Sequence, residues 1–219
     1  MIVNERIVTY INSLDTGNSA LLEEIEKEAR AAEVPVIRRE MQSFLKVLLM
    51  LAQPGRILEV GTAVGFSALL MSEYAPEGSR ITTIENYAKR IPIARENFRR
   101  AGKENQITLV EGDAADVLKE MDGVYDFIFM DAAKGQYIHY LPDILRLLGE
   151  GGCLVSDNVM QDGDVTESRF AVERRDRTIH ARMREYLWEI KHHPQLVTSI
   201  LPLGDGVAVS VKNSRKGKL

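Results

Sequence analysis

The chain has 219 residues, of which 45% are hydrophobic and 27% charged, and its formal net charge is −4. This composition is typical of a soluble globular protein, and the length predicts one domain, residues 1–219, with a substantial core. The acidic balance excludes a general attraction to nucleic acid, so any RNA contact needs a local basic surface. The single cysteine, Cys153, falls in a predicted core strand and excludes an internal disulfide. With no signal peptide or membrane span apparent, the sequence predicts a cytoplasmic protein.

Residues 1–52 are predicted to be helical. A first apolar stripe contains Ile7, Ile11 and Leu14 at helical spacing. An acidic amphipathic helix follows over residues 20–32, with Asn18 or Ser19 as its N-cap. A third helix, with several apolar residues between positions 41 and 51, leads to Pro-Gly at positions 54 and 55.

Residues 56–212 alternate between short β-branched runs and helical patterns, which is typical of a parallel, doubly wound sheet. The predicted strands cover residues 57–60, 80–84, 107–110, 125–130 and 152–156, and a closing hairpin covers 196–201 and 207–211. The predicted helices cover residues 66–74, 91–101, 114–119 and 168–190. Ligands of such sheets bind beyond the carboxyl ends of the strands.

A glycine turn joins the first strand to the following helix. Gly61 allows a sharp turn, and Gly65 allows close approach of a ligand or of the sheet. A dinucleotide fingerprint requires a third glycine where this chain has Phe66, and Glu59 would repel a pyrophosphate but attract an ammonium group. The turn therefore favours S-adenosylmethionine over NAD. Two alternatives remain, an NAD-dependent oxidoreductase and a non-catalytic nucleoside-binding protein.

Acidic residues follow five successive predicted strands. Glu85 ends the second strand, where it can accept hydrogen bonds from the hydroxyls of a ribose, and Asp113 can accept from an adenine amino group or cap a helix. Asp131, Asp157 and Asn158 offer hard oxygen ligands suited to Mg²⁺ or Mn²⁺, unless the last two only cap their loop. Lys134 is placed to act as a general base at the same mouth, with a solvated surface lysine as the alternative.

These motifs resemble the metal-dependent class I O-methyltransferases of the caffeoyl-CoA and catechol O-methyltransferase type. The matching runs are Glu59–Ser67, Ile84–Glu85, Glu111–Ala114, Asp131–Tyr137 and Asp157–Val159. The resemblance covers about residues 30 to 212 and implies a Rossmann-like, seven-stranded, mostly parallel sheet with an antiparallel last strand and extra N-terminal helices. It also implies a homodimer built partly from those helices.

The same resemblance assigns roles to individual residues. It implies that Asp131, Asp157 and Asn158 bind the metal and that Lys134 is the catalytic base, with Asp131 beside it. The residues expected to contact S-adenosylmethionine, from the resemblance and from the glycine turn together, are Ile37, Glu59, Gly61, Ser67, Glu85, Asp113, Ala114 and Asp131.

The acceptor is predicted from finer features of the sequence. The Asp131–Tyr137 run and the segment from His193 to Val207 resemble bacterial tRNA 5-hydroxyuridine methyltransferases, which implies methylation of wobble 5-hydroxyuridine to 5-methoxyuridine. Ala133 and Gln136 replace an Asp and an Asn of the plant-type enzymes, which disfavours a CoA ester. A small catechol-like phenol is the alternative acceptor.

The charged residues around the predicted site include some that disfavour an RNA acceptor and some that favour it. Asp162 and Asp164 follow the metal-ligand pair and disfavour RNA. Basic residues favour RNA, unless the predicted helix only presents a solvated face with pairs such as Glu173 with Arg177. These basic residues are Arg169, Arg174, Arg175, Arg177, Arg182 and Arg184 in the predicted long helix, and Arg215, Lys216 and Lys218 at the end of the chain.

Overall fold

The computed structural model of the chain describes residues 2–213, so Arg215, Lys216 and Lys218 lie outside the described residues. The helices are α1 (Glu5–Ser13), α2 (Ala20–Ala31), α3 (Arg39–Ala52), α4 (Phe66–Tyr74), α5 (Ile91–Arg100), α6 (Ala114–Glu120), α7 (Tyr137–Leu147) and α8 (Arg177–His192). The strands are β1 (Arg56–Val60), β2 (Arg80–Glu85), β3 (Ile107–Glu111), β4 (Tyr125–Met130), β5 (Leu148–Ser156), β6 (Leu196–Leu201) and β7 (Val207–Lys212). Two short 3-10 turns cover Lys134–Gln136 and Gln161–Thr166.

The seven strands form one sheet in the order β3-β2-β1-β4-β5-β7-β6. Strands β1 to β5 run parallel, and β7 lies antiparallel between β5 and β6. The predicted fold class, a mostly parallel seven-stranded Rossmann-like sheet with an antiparallel last strand, is therefore confirmed. The strand order reverses beside β1, which brings the ends of β1, β2 and β4 to one crevice.

Helices cover both faces of the sheet. Successive residues of a strand point to opposite sides, so a strand that is apolar throughout needs a covering layer on each face. Ile57 of β1 packs with Leu22 of α2 and Leu45 of α3. Leu58, its neighbour, packs in the second core cluster with Met183 of α8. Both faces of β1 are thus buried, which accounts for its nearly continuous apolar sequence.

The helix α2 begins where the sequence predicts, at Ala20. Ser19 caps α2 by accepting a hydrogen bond from the Leu22 amide, and Asn4 caps α1 in the same way from Arg6. None of the residues of α1 is buried, although its apolar stripe is present. Within residues 2–213, no helix combines the length and the apolar character needed to cross a bilayer.

The prediction of one long helix from residue 168 is wrong. Residues 168–176 form turns, and α8 begins at Arg177. Arg169, Arg174 and Arg175 therefore precede the helix instead of lying on it. The predicted pair of Glu173 with Arg177 also fails, because the two residues are not on one helix: Glu173 pairs with Arg175 at 3.0 Å, while Arg177 donates to the Val172 carbonyl.

Candidate active site

The glycine turn after β1 has the backbone conformation that only glycine adopts without strain. Gly61 and Gly65 have φ values of 106° and 85°, and Ala63 between them has a φ of 46°. A Cβ on Gly61 would overlap the backbone carbonyl of Asp131, and a Cβ on Gly65 would strike the ring of Phe98. The turn thus packs directly on the end of β4, which places Asp131 next to it.

A cavity of about 570 Å³ opens beyond the carboxyl ends of β1, β2, β4 and β5. Its volume is in the range of small-molecule and cofactor sites. Most of the predicted site residues line it: Ile37, Gly61, Ser67, Glu85, Ala114, Asp131, Lys134, Asp157 and Asn158. Residues not predicted as site residues also line it, including Arg38, Arg90 and Tyr140.

Glu59 lies behind the cavity wall, since it is fully buried and does not line the cavity. Thr83 of β2 donates a hydrogen bond to its Oε2, and the Thr83 and Thr62 hydroxyls lie 2.6 Å apart. Its Oε1 has no hydrogen bond within residues 2–213. Burial raises the pKa of Glu59 to about 7, although the nearby hydroxyls of Ser67 and Thr83 oppose the shift. Ser67, which lines the cavity, stands between Glu59 and the space a ligand would fill.

Glu85 organises the turn and also faces the cavity. Its Oε2 accepts from the Ala63 amide at 2.7 Å, and its Oε1 accepts from the amides of Asn86 and Tyr87 at 3.0 and 2.9 Å. A carboxylate oxygen accepts two hydrogen bonds, so Oε2 keeps capacity for a ribose hydroxyl. Asp113 caps α6 by accepting from the Ala115 amide at 2.9 Å. It lies beside the cavity wall formed by Gly112 and Ala114.

Asp131, Lys134, Asp157 and Asn158 come together at one side of the cavity. The Lys134 Nζ donates to Asp131 Oδ1 at 2.9 Å and to Asn158 Oδ1 at 2.7 Å. Asp157 is almost fully buried, and burial together with the negative charge of Asp131 raises its pKa. Asn158 has a φ of 55°, a left-handed conformation that asparagine tolerates better than most residues. The four side chains thus form an acidic site with one ammonium group at its centre.

Tyr137 supports this site, a role that the sequence prediction missed. Its buried hydroxyl lies 3.0 Å from the Met130 carbonyl and 3.2 Å from the Asp157 carbonyl, and it accepts from the Ala132 amide at 3.3 Å. It therefore ties the end of β4 to the end of β5. Burial and nearby carboxylates raise its pKa well above the usual value, so the hydroxyl stays protonated. The sequence did offer an indication of this role, because Tyr137 is the last residue of the matching run Asp131–Tyr137.

The donor set fits a hard divalent cation. Two carboxylates and one amide oxygen are the ligand types that Mg²⁺ and Mn²⁺ prefer. Burial is the main cause of the raised pKa of Asp157, and the nearby Asp131 carboxylate adds to it while Lys134 opposes it. Within residues 2–213, no group of three or more His, Cys, Asp or Glu side chains is placed to hold a metal. The candidate set is thus completed by an amide oxygen and not by a third acid.

Comparisons with known proteins agree with this geometry. The family described as O-methyltransferase matches residues 12–213. A catechol O-methyltransferase from Mycobacterium tuberculosis is 33% identical over 71% of this chain and 72% of that protein. A catechol O-methyltransferase from Niastella koreensis is 38% identical, but the match spans 57% of this chain and only 58% of that protein.

Solved structures show the same fold with a ligand of the expected class. An O-methyltransferase from Bacillus cereus in complex with SAH (S-adenosylhomocysteine) has a TM-score of 0.84 at 26% identity, covering 95% of this chain and 97% of that one. An SAH-bound Podospora anserina methyltransferase has a TM-score of 0.86 at 27% identity, covering 97% of both chains. The chain therefore belongs to the O-methyltransferase family and is an S-adenosylmethionine-dependent O-methyltransferase of the caffeoyl-CoA and catechol type.

Proposed function

We propose that this enzyme uses Mg²⁺ or Mn²⁺ and methylates the 5-hydroxyl of wobble 5-hydroxyuridine in tRNA, giving 5-methoxyuridine. The observation that carries the proposal is the convergence of Asp131, Lys134, Asp157 and Asn158 on the wall of the cavity that Glu85 and Ser67 also line. This convergence supports a metal-assisted acceptor site directly beside a nucleoside site. With tRNA as the acceptor, we propose a cytoplasmic enzyme.

The metal would be held by Asp131, Asp157 and Asn158. Bound there, it would polarise two neighbouring acceptor oxygens and stabilise the ionised form of one of them. The acidic pair already attracts the Lys134 ammonium, which donates to Asp131 and Asn158. A divalent cation held there would compete with that ammonium for the same oxygens, and repulsion between like charges would favour the neutral amine that Lys134 needs to accept a proton.

The remaining steps belong to residues of the chain. Lys134 takes the proton from the acceptor hydroxyl at its Nζ, and Tyr137 keeps the ends of β4 and β5 in register during the reaction. S-adenosylmethionine supplies the methyl group when bound, and the acceptor oxygen forms its bond to carbon as the sulfur–carbon bond breaks. Glu85, Ser67 and the Gly61 turn orient the donor so that the two reacting atoms meet in line.

Several features support an RNA acceptor. In 5-hydroxyuridine, the 5-hydroxyl and the neighbouring carbonyl present the adjacent oxygens that a metal can chelate. Arg38 and Arg90 line the cavity, so its rim carries positive charge as well as acids. Ala133, also in the lining, gives a CoA ester no acidic partner of the plant type. Arg38 and Arg184 also contact the segment that follows Asn158.

A small catechol-like phenol is the second candidate acceptor, because two relatives at 33% and 38% identity are named catechol O-methyltransferases. Nucleoside mass spectrometry of tRNA from a strain lacking this gene separates the candidates. We expect 5-methoxyuridine to disappear and 5-hydroxyuridine to accumulate. In vitro, the pure enzyme should methylate an RNA stem-loop with 5-hydroxyuridine faster than catechol, and chelator should abolish transfer. Unchanged 5-methoxyuridine in the strain together with efficient catechol turnover would establish the second candidate instead.

We also propose a homodimer formed through α1 and α3. These contacting helices expose large apolar side chains, with Tyr10 66%, Leu14 64%, Met50 62% and Leu51 77% exposed. Burying such a face between two copies removes apolar surface from water. Light scattering should give a dimer for the native chain and a monomer for Leu14→Glu. A monomeric native chain at micromolar concentration would refute this assembly.

A further inference from the structure

A second cleft lies on the surface between α8 and the segment that precedes it. It has a volume of about 430 Å³ and is separate from the cofactor cavity, with which it shares no lining residue. Its walls are Glu167, Ser168, Arg169, His180, Ala181 and Arg184. Two guanidinium groups thus outweigh a single carboxylate, so the cleft suits an anion.

His180 is the buried element of this cleft. It is only 3% exposed, and its Nε2 lies 3.2 Å from the Glu167 carbonyl oxygen. A carbonyl only accepts, so Nε2 is the protonated nitrogen. Its Nδ1 is buried and has no hydrogen-bond partner within residues 2–213. His180 thus lines the cleft as a buried neutral ring, and the positive charge that would meet an anion comes from the two arginines.

The two arginines have donors to spare. Arg184 uses one guanidinium nitrogen on the carbonyls of Val165 and Glu167, at 3.0 and 3.5 Å. Arg169 is exposed and has neither a hydrogen bond nor an ion pair with any residue from 2 to 213. Guanidinium groups match the geometry of phosphate oxygens, and Ser168 adds a hydroxyl.

The cleft is connected to the acceptor side of the active site. The loop after Asn158 runs through the 3-10 turn Gln161–Thr166 directly into Glu167 and Ser168. On another side of α8, Arg182 donates to the Gly135 carbonyl at 3.2 Å, next to Lys134. The helix α8 therefore contacts both the cleft and the turn that carries Lys134.

We propose that this cleft binds a backbone phosphodiester of the acceptor RNA, in contact with Arg169, Arg184 and Ser168. The inference rests on the proposed RNA acceptor, and it adds the anchoring site that holds the strand while the target base enters the active site. Phosphate contacts of this kind fix position and register without reading sequence.

The single tryptophan of the chain makes the binding measurable. Trp188 lies one helical turn after Arg184, is 58% exposed and stacks on His192 with ring centroids 4.3 Å apart. Binding of an RNA strand at the cleft should change its fluorescence. The probe is a stem-loop RNA that carries 5-hydroxyuridine in its loop, titrated into the full-length enzyme saturated with S-adenosylhomocysteine, with fluorescence and RNA anisotropy read together.

Arg169→Gln and Arg184→Gln should each weaken RNA binding by about 3- to 10-fold and reduce the slope of log affinity against log salt by about 1. KM for the RNA should rise while kcat and the affinity for S-adenosylhomocysteine stay unchanged. The matched control is Arg99→Gln, which removes the same charge from α5 on the opposite face of the sheet. Inorganic phosphate should compete with the RNA in the native enzyme.

The outcomes separate the two proposals. If the native enzyme binds and methylates the RNA but both cleft variants behave like Arg99→Gln, the cleft assignment is wrong and the RNA function stands. If phosphate changes the Trp188 signal but does not compete with RNA, the cleft takes free anions and the assignment is also wrong. If the native enzyme neither binds nor methylates the RNA, the proposed function itself fails.

Discussion

Replacing Glu59 by glutamine tests whether burial beneath the cofactor turn disfavours the ionised form of this side chain. Burial raises the pKa of Glu59 from 4.5 to about 7 in the folded protein. The folded state then binds more protons than the unfolded state between those two values, so native stability falls as pH rises through that window. Each tenfold change in proton affinity is worth about 1.4 kcal/mol, which sets an upper limit of about 3.4 kcal/mol.

The linkage relation for a single site gives a loss of about 2.5 kcal/mol of unfolding free energy between about pH 5 and about pH 8.5. Glu59→Gln has no such titration, and its carbonyl still accepts from Thr83. The difference in unfolding free energy between variant and native protein, measured in urea, should therefore shift in favour of the variant by about 2 to 3 kcal/mol over this range. The exposed Glu77→Gln should show no comparable shift. A difference that does not depend on pH would refute the claim that Glu59 is desolvated.

Four further substitutions test separate parts of the site. Gly61→Ala should destabilise the fold by about 2–4 kcal/mol in thermal unfolding and abolish S-adenosylhomocysteine binding, because its Cβ overlaps the Asp131 carbonyl; normal binding would contradict this packing. Glu85→Ala should raise the Kd for S-adenosylhomocysteine by about 10- to 100-fold, since it removes charged hydrogen bonds worth about 1.5–3 kcal/mol. Lys134→Met should lower kcat by about 100-fold or more while leaving that Kd within about twofold; a kcat near the native value would remove Lys134 from the chemistry. Tyr137→Phe should cost about 1–3 kcal/mol of stability in urea titration, because it leaves buried backbone groups unpaired.

The sheet could be predicted from the sequence because its strands are short, apolar and bounded by glycine or acidic residues. All seven strands were predicted, and α4 occupies the predicted range, residues 66–74. The helix α7 was not specified, since Pro142 lies inside it and obscures the periodic pattern. The start of β5 was also missed, because Gly149 and Gly151 look like a loop. In both places the packing of the sheet overrides the local signal.

The active site was predictable for a related reason. In a parallel sheet, every residue that directly follows a strand is carried to the same edge, so order along the chain predicts proximity in space. Asp131, Asp157 and Asn158 meet although 27 positions separate the first from the last. The burial of each side chain could not be predicted in this way. Glu59 and Ser67 look equally available in the sequence, yet the turn buries Glu59 completely behind the cavity wall.

The segment after Asn158 shows what sequence charge alone leaves out. Asp162 and Asp164 argue against RNA when they are counted as free acids. In the fold, the Asp162 carboxylate lies 3.8 Å from a guanidinium nitrogen of Arg38, and its backbone amide donates to Asp205. The left-handed conformations of Gln161 and Asp162 turn the chain sharply there, and the segment then continues to Arg169 and the cleft at α8. Asp162 therefore lies beside Arg38, which lines the cofactor cavity, while Arg169 and Arg184 lie further along the segment with unused donors. On the proposed function, this separation would let one short segment border the metal-assisted acceptor site and also attract the phosphates of the RNA strand.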